Sequence, residues 1–325
     1  MGFFQEKSAL VRLLIENESL FRTRLIILVG LLSILGLFCA SFFEKKLIAD
    51  NNSLLVEEIQ LSLSDVTRDI YQSLDIYSLE LKSMRAFIYT VGLDQFSYSH
   101  FYRYAQDSNF EENYPGARGF GFIRLVEIED EPQYLEQISS ERSEDFQIKA
   151  ISENPNSRFV IEYIEPEYLN EQAVGLDIGS ESFRRSAALA AAHQNEVTLT
   201  GPITLVQANA KAKHGFLLLY PVYSTLISPS VGGSPKVFGW VYAPLLIDEI
   251  LAAVQQKETG LNLNISDISA KNEVAFFKGG GGVNSENIKQ QSVSSDMELF
   301  GRTWRINAYP SGEFVNQLDL PSPSK

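Results

Sequence analysis

Nineteen consecutive residues without a charge, Leu25 to Phe43 (LIILVGLLSILGLFCASFF), constrain this chain more than any other feature. As a helix rising 1.5 Å per residue, the run is roughly 28 Å long, about the hydrocarbon thickness of a bilayer. Arg22 and Arg24 close it on one side, and Glu44, Lys45 and Lys46 on the other. Lys7, Arg12, Arg22 and Arg24 precede the span and only Lys45 and Lys46 follow it closely. That bias puts the N-terminus in the cytoplasm and the bulk of the chain outside. A cleaved signal peptide fits less well, because its apolar region is shorter and begins sooner, and CAS at Cys39 to Ser41 matches a cleavage site only loosely. The expected layout is a cytoplasmic segment over 1–24, a transmembrane helix over 25–43 and an exported remainder anchored to the inner membrane, on its periplasmic side.

Charge and cysteine content agree with that layout. The net charge is −14; the first 24 residues are net positive by one, so the part beyond the span carries −15. Such a surface repels phosphate backbones, so nucleic acid is not an expected partner. The single cysteine, Cys39, lies inside the span, which leaves the exported part without disulfides or thiolate metal sites. No cofactor is expected.

From Glu44 to about Arg85 the pattern is one long helix. Leu47, Leu54, Leu55, Ile59, Leu63, Val66, Ile70, Leu74, Tyr77, Leu81 and Met84 recur three or four apart, with no Gly or Pro between them. Two uses of that stripe stay open. It can cover the domain that follows, or it can pair with a second copy as a signalling stalk, although a strict heptad is absent.

Beyond the helix, short strands and single helices alternate. Asp94 to Phe110 suggests a short helix, and Gly119 to Ile128 a strand. Phe159 to Ile164, Val197 to Leu199, Ile203 to Val206 and Gly215 to Tyr220, the last ended by Pro221, suggest further strands. Phe183 to His193 reads as a helix capped by Ser180 or Ser182. The acidic run Glu127 to Glu131 lacks the alternating ligands and glycine of a calcium loop, so it reads as a solvated rim. From Val237 the pattern repeats in smaller form: a strand (VFGWVYAPL), a helix over Leu246 to Gln256, and the strands LNLNISDI and EVAFFKG. A closing strand pair then turns around Gly301. The glycines at 279–282 are not followed by the Lys-Ser/Thr of a phosphate loop. The fold class expected is α+β, with one transmembrane helix, a long N-terminal stalk helix over 44–86 and two PAS-like subdomains with antiparallel sheets. Their expected limits are 87–236, membrane-distal, and 237–325, membrane-proximal.

The order YIEP (Tyr163 to Pro166), Asn170, GLD (Gly175 to Asp177), a helix with Arg184 and Arg185, LTGPITL (Leu199 to Leu205) and GFLLLYPVY (Gly215 to Tyr223) resembles the CHASE sensor domain. PGARGFGFIR (Pro115 to Arg124) resembles the same family's first strand, and the likeness covers about Phe87 to Leu251. CHASE domains lie outside the membrane in plant cytokinin receptors and in bacterial histidine kinases and diguanylate cyclases of two-component and related signalling. The resemblance implies a small-molecule ligand in the membrane-distal subdomain; a homodimer joined through the stalk is expected from the apolar stripe, since a signal must change geometry between two chains. It implies Asp177 as the anchor of an adenine-type, cytokinin-like base and the backbone of Leu199 as a second contact; Tyr163 and Thr200, in the same motifs, are further candidate ligand contacts. A threonine of the plant receptors has no counterpart near Ala208 and Asn209. From the residues alone, Asp177 reads equally well as a turn residue capping the next helix.

Other chemistries have thin support. Glu165 and Asp177 could pair as the carboxylates of a hydrolase, but nothing in the sequence fixes their separation. His193 and His214 have no nucleophile or metal-ligand spacing around them. A tethered interaction protein without a ligand is the third class. The balance favours a sensor that is not itself an enzyme. Phe314 to Lys325 runs out in PSPSK with no second span and no kinase or cyclase motif, so the chain is expected to be the sensing portion of a longer protein.

Overall fold

A computed structural model describes residues 3–142, 146–205, 214–224, 236–257, 260–279 and 292–321. The chain divides into two compact units, Met1–Glu57 with Val315–Lys325, and Glu58–Phe314.

The first unit holds the whole apolar span, which lies within one continuous helix, α1 (Phe3–Val91). From Leu25 to Phe43 the span's side chains are exposed, as a lipid-facing segment requires. Asn51 Nδ2 donates to the Pro321 carbonyl at 2.8 Å, so the returning chain is tied to α1 eight residues past the span.

The second unit is built on the rest of α1. Ile59, Leu63, Val66, Ile70, Leu74, Tyr77, Leu81, Met84 and Ile88 are all buried, at the spacing of one helix face. From Leu55 onward the stripe expected from sequence is therefore the domain's own core, whereas Leu54 is exposed and Leu47 only half-buried. Leu61, Ile76 and Leu79 stand on the opposite face and are exposed. Gly92, at φ +89°, ends the helix as only glycine readily can. Then come α2 (Tyr98–Ser108) and α3 (Phe110–Asn113).

The larger sheet runs β2-β4-β3-β1-β8-β7-β5, with β6 also paired to β7. Its strands are β1 (Phe120–Val126), β2 (Lys149–Ala150), β3 (Arg158–Glu165), β4 (Leu176–Asp177), β5 (Thr198–Leu199), β6 (Ile203–Thr204), β7 (His214–Tyr223) and β8 (Val237–Leu246). All pairs are antiparallel except β2 with β4. One face carries Ile123, Phe159, Ile161, Leu219, Trp240 and Tyr242 against Ala187, Ala188 and Ala191 of α5 (Ser182–Gln194). The other packs on α1 and α2: Phe120 stacks on Tyr77, and Tyr163 on Phe101. A smaller antiparallel sheet follows α6 (Ile247–Lys257) in the order β10-β9-β12-β11: β9 (Leu261–Asp267), β10 (Val274–Lys278), β11 (Val293–Leu299) and β12 (Arg302–Pro310). Phe216 of the large sheet meets Phe276 and Trp304 of the small one.

Two expectations are corrected. The strand at 237, expected to open the second subdomain, is β8, held between β1 and β7 in the centre of the first sheet. Its face of Trp240 and Tyr242 belongs to the core under α5, and the second sheet begins only at Leu261. Pro221 also does not end its strand, because β7 continues to Tyr223. On that side β5 reaches only Leu218 and Leu219, so position 221 is an edge where no N–H is needed. Val206, Ala208, Asn209 and the glycines at 280–282 lie outside the described residues. The α+β class with antiparallel sheets and one long N-terminal helix holds.

Candidate functional site

Gly175, at φ +80°, turns the chain into β4 and brings Asp177 opposite Val160 of β3. Asp177 is 0 % exposed. Its Oδ1 accepts from the Phe159 N–H (2.8 Å) and the Gly179 N–H (2.9 Å), and its Oδ2 from Asn154 Nδ2 (2.7 Å). The carboxylate thus closes the start of β3 and caps the turn Ile178–Ser180 that leads into α5. Leu199 and Thr200 sit at the far edge of the sheet, five strand spacings or roughly 24 Å away along it. The Leu199 N–H donates to the Phe300 carbonyl at 2.9 Å. The Thr200 N–H donates to the Leu217 carbonyl, and its hydroxyl accepts from the Leu217 N–H, both at 2.9 Å. Tyr163 lies on the opposite face, where its hydroxyl donates to the Glu141 carboxylate at 3.1 Å. The four residues implied by the resemblance are therefore not gathered at one point. None of them lines any of the four main cavities.

The carboxylate pair of the hydrolase reading is also separated. Glu165 is five residues along β3 from the partner of Asp177, roughly 17 Å at strand rise, beyond the reach of two groups acting on one bond. Burial pushes the Glu165 carboxyl above its usual range, opposed by hydrogen bonds from the Tyr98 hydroxyl (2.8 Å) and the Glu167 N–H (3.3 Å). His193 and His214 are exposed.

The structure instead opens a cavity of about 500 Å³ on the α2 side of the sheet, lined by Phe96, Arg124, Tyr134, Glu141, Glu162 and Phe238 among others. A β-bulge makes its floor. Phe122 pairs with Tyr163 but Ile123 pairs with Ile161, which leaves Glu162 as the extra residue on β3. Arg124 grips that carboxylate with two bonds, Nε to Oε2 at 2.7 Å and Nη2 to Oε1 at 3.0 Å. Its guanidinium lies 3.8 Å from the Phe238 ring centre and 5.1 Å from that of Phe122. Burial alone would lower the Arg124 pKa, but Glu162 outweighs it and the net shift is upward. The roof is α4 (Glu131–Arg142). It is pinned at one end by Arg158 to Glu131 (2.9 Å) and at the other by Arg142 to Glu167 and to the Glu162 carbonyl. Burial raises the Tyr134 pKa well above normal, with Glu162 adding to it, yet the buried hydroxyl has no partner in hydrogen-bonding geometry. Sequence reasoning missed this site. The available signal was a charge in each of two apolar strands, Arg124 in FGFIRLV and Glu162 in RFVIEYIE.

Comparison with known proteins adds the following. A family model described as the CHASE domain matches residues 94–277. No curated protein matches the chain. Among solved structures, an extracellular ligand binding receptor from Desulfohalobium retbaense DSM5692 aligns with 80% of this chain at 11% identity and a TM-score of 0.44. The chain spans only 40% of that receptor's length. The periplasmic sensory domain of the Campylobacter jejuni chemoreceptor Tlp1 aligns with 83% of this chain and 98% of its own, at 9% identity and a TM-score of 0.49.

Three donors converge on the buried Asp177 carboxylate, and this makes its role measurable. Asp177→Ala strands the Phe159 N–H, the Gly179 N–H and the Asn154 amide, at about 1 kcal/mol or more for each. The expected loss is about 3 kcal/mol, or roughly 6–12 °C in melting temperature for a domain of this size. Thermal denaturation of the full chain checks it. A melting temperature within about 2 °C of the parent would mean that the carboxylate is dispensable to the fold.

Proposed function

Because the chain belongs to the CHASE domain family, with more than half of it matched, we propose that it is the sensing portion of a membrane receptor. In this reading it binds a small molecule outside the cytoplasm and passes the change along α1. The observation that carries the reading is the continuity of that helix. One element, Phe3–Val91, holds the exposed apolar span and also the buried stripe from Ile59 to Ile88. In this reading a shift in how the sensor packs on the stripe is passed toward the span through the same helical segment of chain.

Two further features support the relay. Pro321 is held by Asn51, about 12 Å along the helix axis from Phe43. A second span and a cytoplasmic output domain, if joined after Pro321, would start close to the membrane. For the homodimer, the buried stripe is occupied, so pairing falls to the outer face at Leu61, Ile76 and Leu79. Asp177 keeps a supporting part, since it fixes Asn154 and the start of β3. Its committed oxygens favour a ligand other than an adenine-type base. The small molecule is best accommodated by the 500 Å³ cavity under α4, a size usual for such sites.

A thermal-shift screen of the full chain in lipid nanodiscs tests the sensor reading. At least one compound of a broad panel of metabolite-sized molecules should raise the melting temperature by several degrees, as mass action requires of a native-state ligand. A panel without any response would count against a small-molecule sensor. For the dimer, a lone cysteine in place of Leu61 or Leu79 in a Cys39→Ser background should crosslink on oxidation of membranes, whereas one in place of Leu63 should not. Equal crosslinking at all three would remove the outer-face pairing.

A further inference from the structure

We propose that the cavity under α4 binds an organic cation, a protonated amine on an apolar body; the proposal rests on the sensor reading. Charge comes first. Besides the Arg124–Glu162 pair, the lining carries Asp94, Glu127, Asp130 and Glu141 against Lys236 alone. Arg124 is paired internally, held by both oxygens of Glu162 and covered by two phenyl rings, so its charge is balanced by Glu162 rather than left open to an anion. Asp94, Glu127 and Asp130 have no ion-pair partner among the described residues. Among the described residues Glu141 accepts only from the Tyr98 N–H and the Tyr163 hydroxyl. The field in the cavity therefore favours positive charge.

Shape and chemistry narrow the class. The buried side chains of Phe96, Val126 and Ile138 and the ring of Phe238 give the cavity an apolar floor. Aromatic faces beside carboxylates suit an ammonium group joined to a carbon skeleton. A bare divalent ion is a poor occupant, because no three acidic or histidine side chains cluster at metal-binding distance among the described residues. The Tyr134 hydroxyl, buried in the lining beside the Glu162 carboxylate but in no well-formed hydrogen bond, is a second mark of an incomplete polar site. An amine N–H or a hydroxyl on the ligand would complete it.

The test is isothermal titration of the full chain in neutral-lipid nanodiscs with three probes that share one body: phenethylamine, phenethyl alcohol and phenylacetate. The amine should bind saturably, and the alcohol and the acid about tenfold or more weakly, as the loss of one charged contact implies. Glu127→Gln, at a half-buried rim position, should weaken the amine about fivefold. Gln137→Trp, at an exposed position on α4, should block the cavity and abolish binding without lowering the melting temperature. Equal affinity for the three probes, no binding of the amine, or amine binding indifferent to both substitutions would each overturn the proposal. If the compound screen is positive while the amine fails, the sensor reading stands and only this site and ligand class fall.

Discussion

The burial of one face of α1 is the interaction on which the rest depends. Its stripe from Ile59 to Ile88 meets the larger sheet where Tyr77 stacks on Phe120, and beside the stripe the exposed Tyr71 stacks on Phe300 in the turn between β11 and β12. Polar contacts add direction to this apolar contact. Glu80 accepts from the hydroxyls of Tyr104 and Tyr114 (2.8 and 2.6 Å). Arg85 reaches the Pro221 carbonyl and lies over the Tyr220 ring. Non-directional burial supplies the stabilisation, and these bonds fix the helix's rotation and height. A sheet that moved against α1 would have to break both kinds of contact.

The two faces of the larger sheet divide the labour. Against α5 the packing is close: Phe159 and Trp240 lie 4.6 Å apart between ring centres, and the Trp240 indole N–H donates to the Ala188 carbonyl at 2.8 Å. Asp177 belongs to this face as a keystone of the turn. On the other face the bulge at Glu162 and the pinned helix α4 hold a cavity open. Strands that close one core and leave a hollow on the reverse are how a binding domain keeps stability and access together.

Much of the fold was legible because its signals are local and periodic. The uncharged run at Leu25 to Phe43, the three-to-four spacing down α1 and the apolar strands after Gly119 each declare an element without reference to the rest of the chain. Partnership was less legible. Nothing in VFGWVYAPLL says that it will sit between β1 and β7, a pairing that joins residues over a hundred positions apart. The stripe likewise could not say whether it faces its own domain or a twin, since both need the same apolar spacing. The site was hidden for a related reason. Arg124 and Glu162 are 38 positions apart and meet only because β1 pairs with β3 through a bulge. Asp177 was visible as a turn residue, and its three donors make that reading concrete.

The central claim is that α1 outside the membrane is a core helix of its own domain, and labelling with a membrane-impermeant maleimide tests it most directly. In a Cys39→Ser background, single cysteines are placed one at a time along α1 and exposed to the reagent on intact cells. Glu58→Cys and Lys82→Cys, at exposed positions, should label from outside, while Ile70→Cys and Leu74→Cys should label only after denaturation. Rapid labelling of Ile70→Cys and Leu74→Cys in the native state, or failure of all four until the cells are opened, would contradict the account.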